Sequence, residues 1–159
     1  MIVVERTFTV GTTPWAVLAY LKDFGNAQEW DRAAQHTTRR DGGPLQPGAT
    51  WRQARRVLGI SAELTWTLIE AIGDRLVFHG RNEAATCTDT VWVRAAPGGT
   101  EVTYRVELEM HGLAKLATPV MKIELEKLGT EGVAGLSRAL NQLAAPSWRP
   151  SAIPPPAPA

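Results

Sequence analysis

The sequence predicts an α+β fold in which a curved antiparallel sheet of about six to seven strands wraps around one long C-terminal helix. Three observations lead to this fold class. Residues 100–109 alternate strictly between apolar and polar side chains, as in a half-buried strand. Several segments before them are strand-like and are separated by turns rich in glycine and proline. From Gly112 onward, the apolar residues recur with a period of about 3.6 residues, which is typical of an amphipathic helix.

The N-terminal part of the chain predicts one strand followed by two short helices. Residues 2–10 alternate between apolar and polar side chains, which favours a strand. A threonine followed by Pro14 is a typical helix start, because threonine caps the first turn and proline fits the first helical position. We expect this helix to run to Gly25 and a second short helix to occupy residues 26–31.

The middle of the chain predicts an antiparallel meander. Alternating segments are separated by turn sequences such as Gly42-Gly43-Pro44 and Pro97-Gly98-Gly99. The predicted strands cover residues 35–41, 50–58, 61–72, 76–78, 86–95 and 100–109. The inner face of these strands is expected to line either the core or a cavity, and a one-residue bulge would invert that assignment.

A long amphipathic helix is predicted from about Pro119 to Ala144. Gly129, Gly132 and Gly135 lie within it, and each weakens a helix interior by roughly 1 kcal/mol relative to alanine. Their spacing leaves a shallow strip along the helix. This strip either packs closely on the sheet or forms the wall of a pocket.

The length of 159 residues corresponds to one domain, which we expect to span residues 1–144. Residues 145–159 are rich in proline and are expected to form a disordered tail. A proline-rich recognition segment is the alternative interpretation of this tail.

Composition argues against several classes of partner. The 17 basic and 16 acidic side chains give a net charge of +1, so no basic excess indicates a nucleic-acid partner. No apolar run approaches the ~20 residues that a membrane-spanning helix needs, and no signal-peptide pattern opens the chain. We therefore expect a cytoplasmic protein without membrane insertion, either a monomer or a homodimer.

Several short sequences occur in an order that resembles the START-like (SRPBCC) superfamily, in particular its bacterial polyketide cyclase/dehydrase-like branch. The resemblance covers residues 1–144. The sequences that carry it are Val4-Glu5-Arg6, Pro14-Trp15-Ala16-Val17-Leu18, Phe24-Gly25-Asn26 before Trp30, Pro47-Gly48-Ala49-Thr50-Trp51, Gly98-Gly99-Thr100-Glu101-Val102-Thr103-Tyr104 and the closing helix. The resemblance implies a helix-grip fold, in which a cavity between sheet and long helix holds lipids, sterols, plant hormones, polyketides or other apolar ligands.

Alternation along the strands places seven candidate ligand-binding residues on the inner face of the sheet. They are Trp51, Gln53, Arg55, Trp66, Phe78, Asp89 and Tyr104. The aromatic members can stack on a flat ligand or fill the core. Arg55 and Asp89 are costly to bury alone, so we expect an ion pair between them that orients a ligand carbonyl or carboxylate. In the alternative interpretation, a bulge near Arg55 and Arg56 turns one or both arginines to solvent.

The other reactive residue types give weaker signals. His36, His79 and His111 lack the spacing of a metal site, and we expect surface or hinge positions for them rather than acid–base roles. Cys87 is the only cysteine, which excludes an internal disulfide, and we expect a buried thiol rather than a nucleophile. No nucleotide-binding motif is present, so no cofactor is expected.

Three functions remain open at this point. The first is a binding or carrier protein for a hydrophobic small molecule. The second is a polyketide cyclase or aromatase, in which the cavity positions a flexible chain and Arg55, Tyr104 or a histidine transfers protons. The third is a protein-interaction module that uses the outer face of the sheet or the tail. The fold alone does not choose among them.

Overall fold

The computed structural model describes residues 1–144, so the proline-rich tail of residues 145–159 lies outside the described residues. Seven antiparallel strands form one sheet in the order β1-β7-β6-β5-β4-β3-β2. The strands are β1 (Ile2–Val10), β2 (Ala34–Arg39), β3 (Thr50–Val57), β4 (Ile60–Ile72), β5 (Arg75–Arg81), β6 (Ala85–Ala96) and β7 (Gly99–Met110). The predicted meander is confirmed, and the segment predicted at residues 76–78 extends to seven residues.

The helices lie before and after the meander, as predicted. They are α1 (Pro14–Lys22), α2 (Ala27–Trp30) and α3 (Thr118–Ala144), with short 3-10 turns at Phe24–Asn26 and Gly112–Ala117. The predicted helix start is present, because the Thr13 side chain accepts a hydrogen bond from the Ala16 amide and Pro14 occupies the first helical position. Within residues 1–144, no helix has an apolar stretch long enough to cross a bilayer.

The order of the hairpins brings three segments to the same end of the sheet. The β3–β4 turn, the β5–β6 turn and the C-terminal end of β7 meet there, since consecutive strands run antiparallel. The amide of His111, just after β7, donates to the carbonyl of Ala84 in the β5–β6 turn over 2.7 Å. Helix α3 begins beyond this junction and therefore starts at this end of the sheet.

Two glycines allow α3 to pack closely on the N-terminal elements. A Cβ atom added to Gly129 would lie 2.8 Å from Cγ1 of Val4, and one added to Gly135 would lie 2.5 Å from the carbonyl oxygen of Trp30. Any larger residue would push the helix away. Both interpretations of the glycine strip hold in part, because Gly135 serves close packing whereas Gly129 and Gly132 also line the cavity described below.

A cluster of aromatic rings forms the solid part of the core. The ring of Phe24 lies 4.5 Å from that of Trp66 and 4.9 Å from that of Phe78, measured between centroids. Trp51 lies 6.0 Å from both Phe24 and Phe78. Such tilted contacts stabilise a core beyond the area that they bury. Trp51 and Phe78 are thus core residues.

Candidate functional site

A cavity of about 470 Å³ separates the inner face of the sheet from α3. This volume lies within the roughly 300–1,000 Å³ of typical small-molecule pockets. Most of the wall is apolar. The sheet contributes Val4, Phe8, Leu64, Trp66, Val106 and Leu108, and the helix side contributes Met121, Leu125, Leu128, Val133 and Leu136.

Four of the seven candidate residues line this cavity, namely Arg55, Trp66, Asp89 and Tyr104. Gln53 lies behind the wall and bonds two of them. Trp51 and Phe78, which we expected to contact a ligand, do not lie on the wall of this cavity. Both face inward as predicted, but Phe24 from the turn after α1 covers them and closes the core over their rings.

Asp89 is the buried acid of the site. It lies on β6 between Phe78 and Val106, with 6% of its surface exposed. The Tyr104 hydroxyl donates to its Oδ2 over 2.7 Å and the Cys87 thiol donates to its Oδ1 over 3.3 Å. Burial raises the pKa of Asp89 to about 6, and the two hydrogen bonds and the positive charge of Arg55 partly oppose that rise.

The two donors to Asp89 are themselves held in their neutral forms. Burial raises the pKa of Tyr104 well above its ordinary value, and the nearby Asp89 carboxylate adds to the effect. The same two causes raise the pKa of the Cys87 thiol. Cys87 is therefore a hydrogen-bond donor at neutral pH and not an activated nucleophile.

Arg55 is held by an ion pair, but not with the expected partner. Its Nη1 donates to Oδ2 of Asp31 over 2.6 Å, so the predicted Arg55–Asp89 pair is wrong. Asp31 directly follows α2, and this short helix brings its carboxylate over β3. The alternative, a bulge near Arg55 and Arg56 that turns an arginine to solvent, is not seen on β3, because the irregularity opposite Arg55 lies between Ala34 and His36 on β2. The register between β3 and β4 is unbroken from Thr50 to Val57, which keeps Arg55 on the inner face and leaves Arg56 exposed.

Gln53 joins the arginine to the aromatic wall. It is fully buried, and its Oε1 accepts hydrogen bonds from Nη1 of Arg55 at 2.9 Å and from Nε1 of Trp66 at 3.1 Å. Its Nε2 donates to the Thr37 hydroxyl over 3.0 Å. Both polar atoms of the buried amide thus have partners, which fixes the side-chain positions.

Trp66 forms a flat part of the cavity wall because its neighbour on β5 is a glycine. Trp66 pairs with Gly80 in the sheet, and a Cβ atom at Gly80 would lie 2.6 Å from the indole ring. The indole therefore lies across the β5 backbone. No larger residue fits at position 80 without moving the ring.

A second arginine of the cavity wall, Arg6, is absent from the predicted set. Its Nη2 donates to Glu126 over 2.7 Å, which links β1 to α3. The alternation of β1 could have predicted this inward position, because Arg6 stands between Val4 and Phe8 on the inner face. Asn82, in the β5–β6 turn, also lines the cavity.

The histidines lie away from the cavity wall as far as residues 1–144 are concerned. His36 is exposed and contacts the Thr38 hydroxyl at 2.8 Å, and His79 is exposed on the outer face of β5. His111 contacts the Thr86 hydroxyl at 2.7 Å at the junction before α3. The titratable side chains of the cavity wall are instead Arg6, Asp31, Arg55, Cys87, Asp89 and Tyr104.

The fold is shared with several solved structures. The TTHA0849 protein of Thermus thermophilus is similar with a TM-score of 0.76 and 12% identity, covering 91% of this chain and 99% of that chain. The Zhui aromatase/cyclase of Streptomyces sp. R1128 has a TM-score of 0.76 and 11% identity, covering 89% and 94%. A START superfamily protein of Mycobacterium smegmatis has a TM-score of 0.71 and 14% identity, covering 89% and 98%.

The sequence itself matches one family model. A comparison with curated proteins finds no match. The model described as polyketide cyclase / dehydrase and lipid transport matches residues 1–141, which includes every element from β1 to most of α3. The chain therefore belongs to the polyketide cyclase/dehydrase and lipid transport family.

Proposed function

We propose that this protein binds a hydrophobic small molecule that carries one polar group, such as a carbonyl or hydroxyl. The observation that carries the proposal is a largely apolar cavity of about 470 Å³ with polar side chains concentrated around Asp89 and Arg55. An apolar wall with few placed polar groups is the usual composition of a small-molecule site. An open interior of this size also favours ligand binding over an interaction module that uses only the outer face.

The polar side chains suggest how such a ligand is oriented. Asp31 and Gln53 both bond Nη1 of Arg55, so the Nε and Nη2 donors are available to a ligand oxygen. The Tyr104 hydroxyl can accept a hydrogen bond from a ligand hydroxyl while it donates to Asp89. The apolar body of the ligand would then lie against Trp66 and α3.

Native mass spectrometry of the gently purified protein, after incubation with a cell extract, tests this proposal. We expect an additional mass that disappears on denaturation. The Val106→Trp variant, which fills the cavity, serves as the matched comparison and should lose the additional mass. Retention of the same mass by this variant, or no additional mass in the natural protein, would contradict binding in the cavity.

A second candidate function is a polyketide cyclase-type reaction on the bound molecule, and Asp89 favours it. A carboxyl group with a pKa of about 6 exchanges protons readily near neutral pH. The Asp89 carboxylate would remove a proton from a carbon next to a ketone. The guanidinium of Arg55 would stabilise the enolate oxygen. The enolate carbon would then attack a second carbonyl of the same chain, and the alkoxide formed there would take up the proton held by Asp89.

Solvent deuterium exchange into an aryl ketone, followed by NMR, tests the first step of this reaction. Acetophenone suits the assay because its uncatalysed exchange is slow. We expect the natural protein to accelerate the exchange and Asp89→Asn to abolish the acceleration. Equal rates for both proteins would leave binding alone as the function.

A further inference from the structure

The start of α3 and the turn before it carry two apolar stripes, and only one of them faces the cavity. Ala114, Ala117, Met121 and Leu125 line the cavity. The other stripe is exposed to solvent, with exposed fractions from 54% to 87%. It consists of Leu113, Leu116, Val120 and Ile123. Leu113 and Leu116 are three residues apart in the 3-10 turn, and Val120 and Ile123 are three residues apart in α3, so the two members of each pair lie on the same side of their element. Apolar residues on an outward helix face are unusual in a soluble domain.

A second exposed apolar element lies at the β3–β4 turn. Leu58 and Ile60 expose 45% and 69% of their surface and also line the cavity. Leu58 has a φ of +54°, a conformation that two-residue hairpin turns normally assign to asparagine, aspartate or glycine. Leu58 therefore stands at a turn position that usually holds a small polar residue or glycine. The result is a protruding apolar side chain at the tip of this hairpin.

The two elements share one end of the molecule, where Leu58 and Ile60 are exposed and also line the cavity. The β3–β4 turn, the β5–β6 turn and the junction after β7 meet at this end of the sheet. We define the mouth rim as the six exposed apolar residues of these two elements. They are Leu58, Ile60, Leu113, Leu116, Val120 and Ile123. An exposed apolar set of this kind marks an interaction site.

Two lysines lie within the helical part of the mouth rim. Lys115 and Lys122 alternate with its apolar residues, and the nearest acidic residues in sequence, Glu109 and Glu124, lie just outside the segment from Met110 to Ile123. On the neighbouring β5–β6 turn, the acidic Glu83 is offset by Arg81, which stands two residues before it. The helical part of the rim therefore combines apolar side chains with positive charge.

We propose that the mouth rim adsorbs to the surface of an anionic lipid bilayer, with no helix crossing it. Apolar side chains entering the interface and lysines near anionic headgroups both contribute to such binding. A second copy of the chain is a less suitable occupant. In a symmetric dimer the same patch meets itself, which would bring Lys115 and Lys122 of both copies together.

Adsorption at this position gives a hydrophobic ligand a path between bilayer and cavity without exposure to water. That role in ligand exchange rests on the proposed function, whereas adsorption itself does not. Vesicle binding is measured without any cavity ligand. Its failure is therefore distinguishable from a failure of the cavity to bind a small molecule.

Vesicle co-sedimentation tests the proposal. The probes are vesicles of phosphatidylcholine alone and vesicles of equal parts phosphatidylcholine and phosphatidylglycerol. The full chain is compared with Leu113→Ser/Leu116→Ser, with Lys115→Glu/Lys122→Glu, and with Ile72→Ser as the matched control. Ile72 is exposed to 69% at the opposite end of the sheet. Thermal unfolding of each variant shows whether the fold is retained.

We expect the natural chain and Ile72→Ser to bind the anionic vesicles, with binding weakened by added salt. Both rim variants should bind at least about tenfold more weakly, since lost apolar burial and lost charge attraction each reduce affinity. Absence of vesicle binding, or equal binding by the rim variants, would overturn the proposal. A dimer that the leucine variant dissociates would overturn it as well, because the rim would then serve a second copy.

Discussion

The Tyr104 hydroxyl and the Asp89 carboxylate are joined by a hydrogen bond of 2.7 Å between neighbouring strands of the cavity wall. Both side chains face the same interior, and the Cys87 thiol donates to the other oxygen of the same carboxylate. Two neutral donors lessen the cost of a buried charge but do not remove it. Asp89 is therefore the residue whose protonation links the stability of the domain to the chemistry of the cavity.

The stability of the protein should depend on the protonation of Asp89. Because folding raises the pKa of this carboxyl to about 6, the folded state favours the neutral form. The stability that this preference provides is present at low pH and is lost as the pH rises through about 6. The Asp89→Asn variant has no carboxyl group at this position, so its stability should not fall as the pH rises through this range. Relative to the natural protein, the variant should gain about 2 kcal/mol between pH ~4 and pH ~7.5.

Urea unfolding at several pH values measures this difference. Tyr104→Phe provides the matched comparison, because removal of its hydrogen bond should move the midpoint of the pH dependence upward. A difference between the natural protein and Asp89→Asn that stays constant with pH would show that Asp89 has no raised pKa.

Arg55 should matter both to stability and to ligands with an acidic group. Arg55→Ala leaves Asp31 without its ion-pair partner, and we expect a loss of about 1–3 kcal/mol in the free energy of unfolding. Affinity for the anionic dye anilinonaphthalene sulfonate should fall more than affinity for the neutral dye N-phenyl-naphthylamine. Arg52→Ala is the control, since Arg52 is an exposed residue of the same strand paired with Glu63. Equal effects of both variants on dye binding would place the ligand elsewhere.

Gly80 should be among the least replaceable residues of the sheet. Gly80→Ala places a Cβ atom 2.6 Å from the Trp66 indole, and the ring cannot move without breaking its hydrogen bond to Gln53. Overpacking of this kind costs about 1–3 kcal/mol. Gly42→Ala is the matched control, because nothing lies within 4 Å of a Cβ atom there. The measurement is denaturant unfolding, and similar midpoints for the two variants would refute the packing described for Trp66.

Much of the inner face could be predicted from sequence because the strand registers are regular. The register between β6 and β7 is unbroken, so a period of two correctly placed Asp89 and Tyr104 inside. The same pattern cannot separate core from cavity. Trp51 and Trp66 stand side by side in the sheet, yet Trp66 lines the cavity and Trp51 does not, because Phe24 from another element covers it.

Strand alternation could not predict the ion-pair partner of Arg55. Asp31 is 24 residues away in sequence and reaches the arginine only because α2 packs beside β2. Arg6 is a different case, since its place between Val4 and Phe8 already implied an inward side chain. Local periodicity predicts faces, whereas pairings across elements depend on how the short helices dock.

Titration with N-phenyl-naphthylamine, whose fluorescence rises in apolar surroundings, tests the central claim that the space between sheet and α3 holds a hydrophobic molecule. The natural protein should show saturable binding of one dye per chain. Val106→Trp fills the cavity and should lose that binding, whereas Val3→Trp, a comparable enlargement at an exposed position on β1, should keep it. Unsaturable binding by the natural protein, or equal binding by the two variants, would contradict the claim.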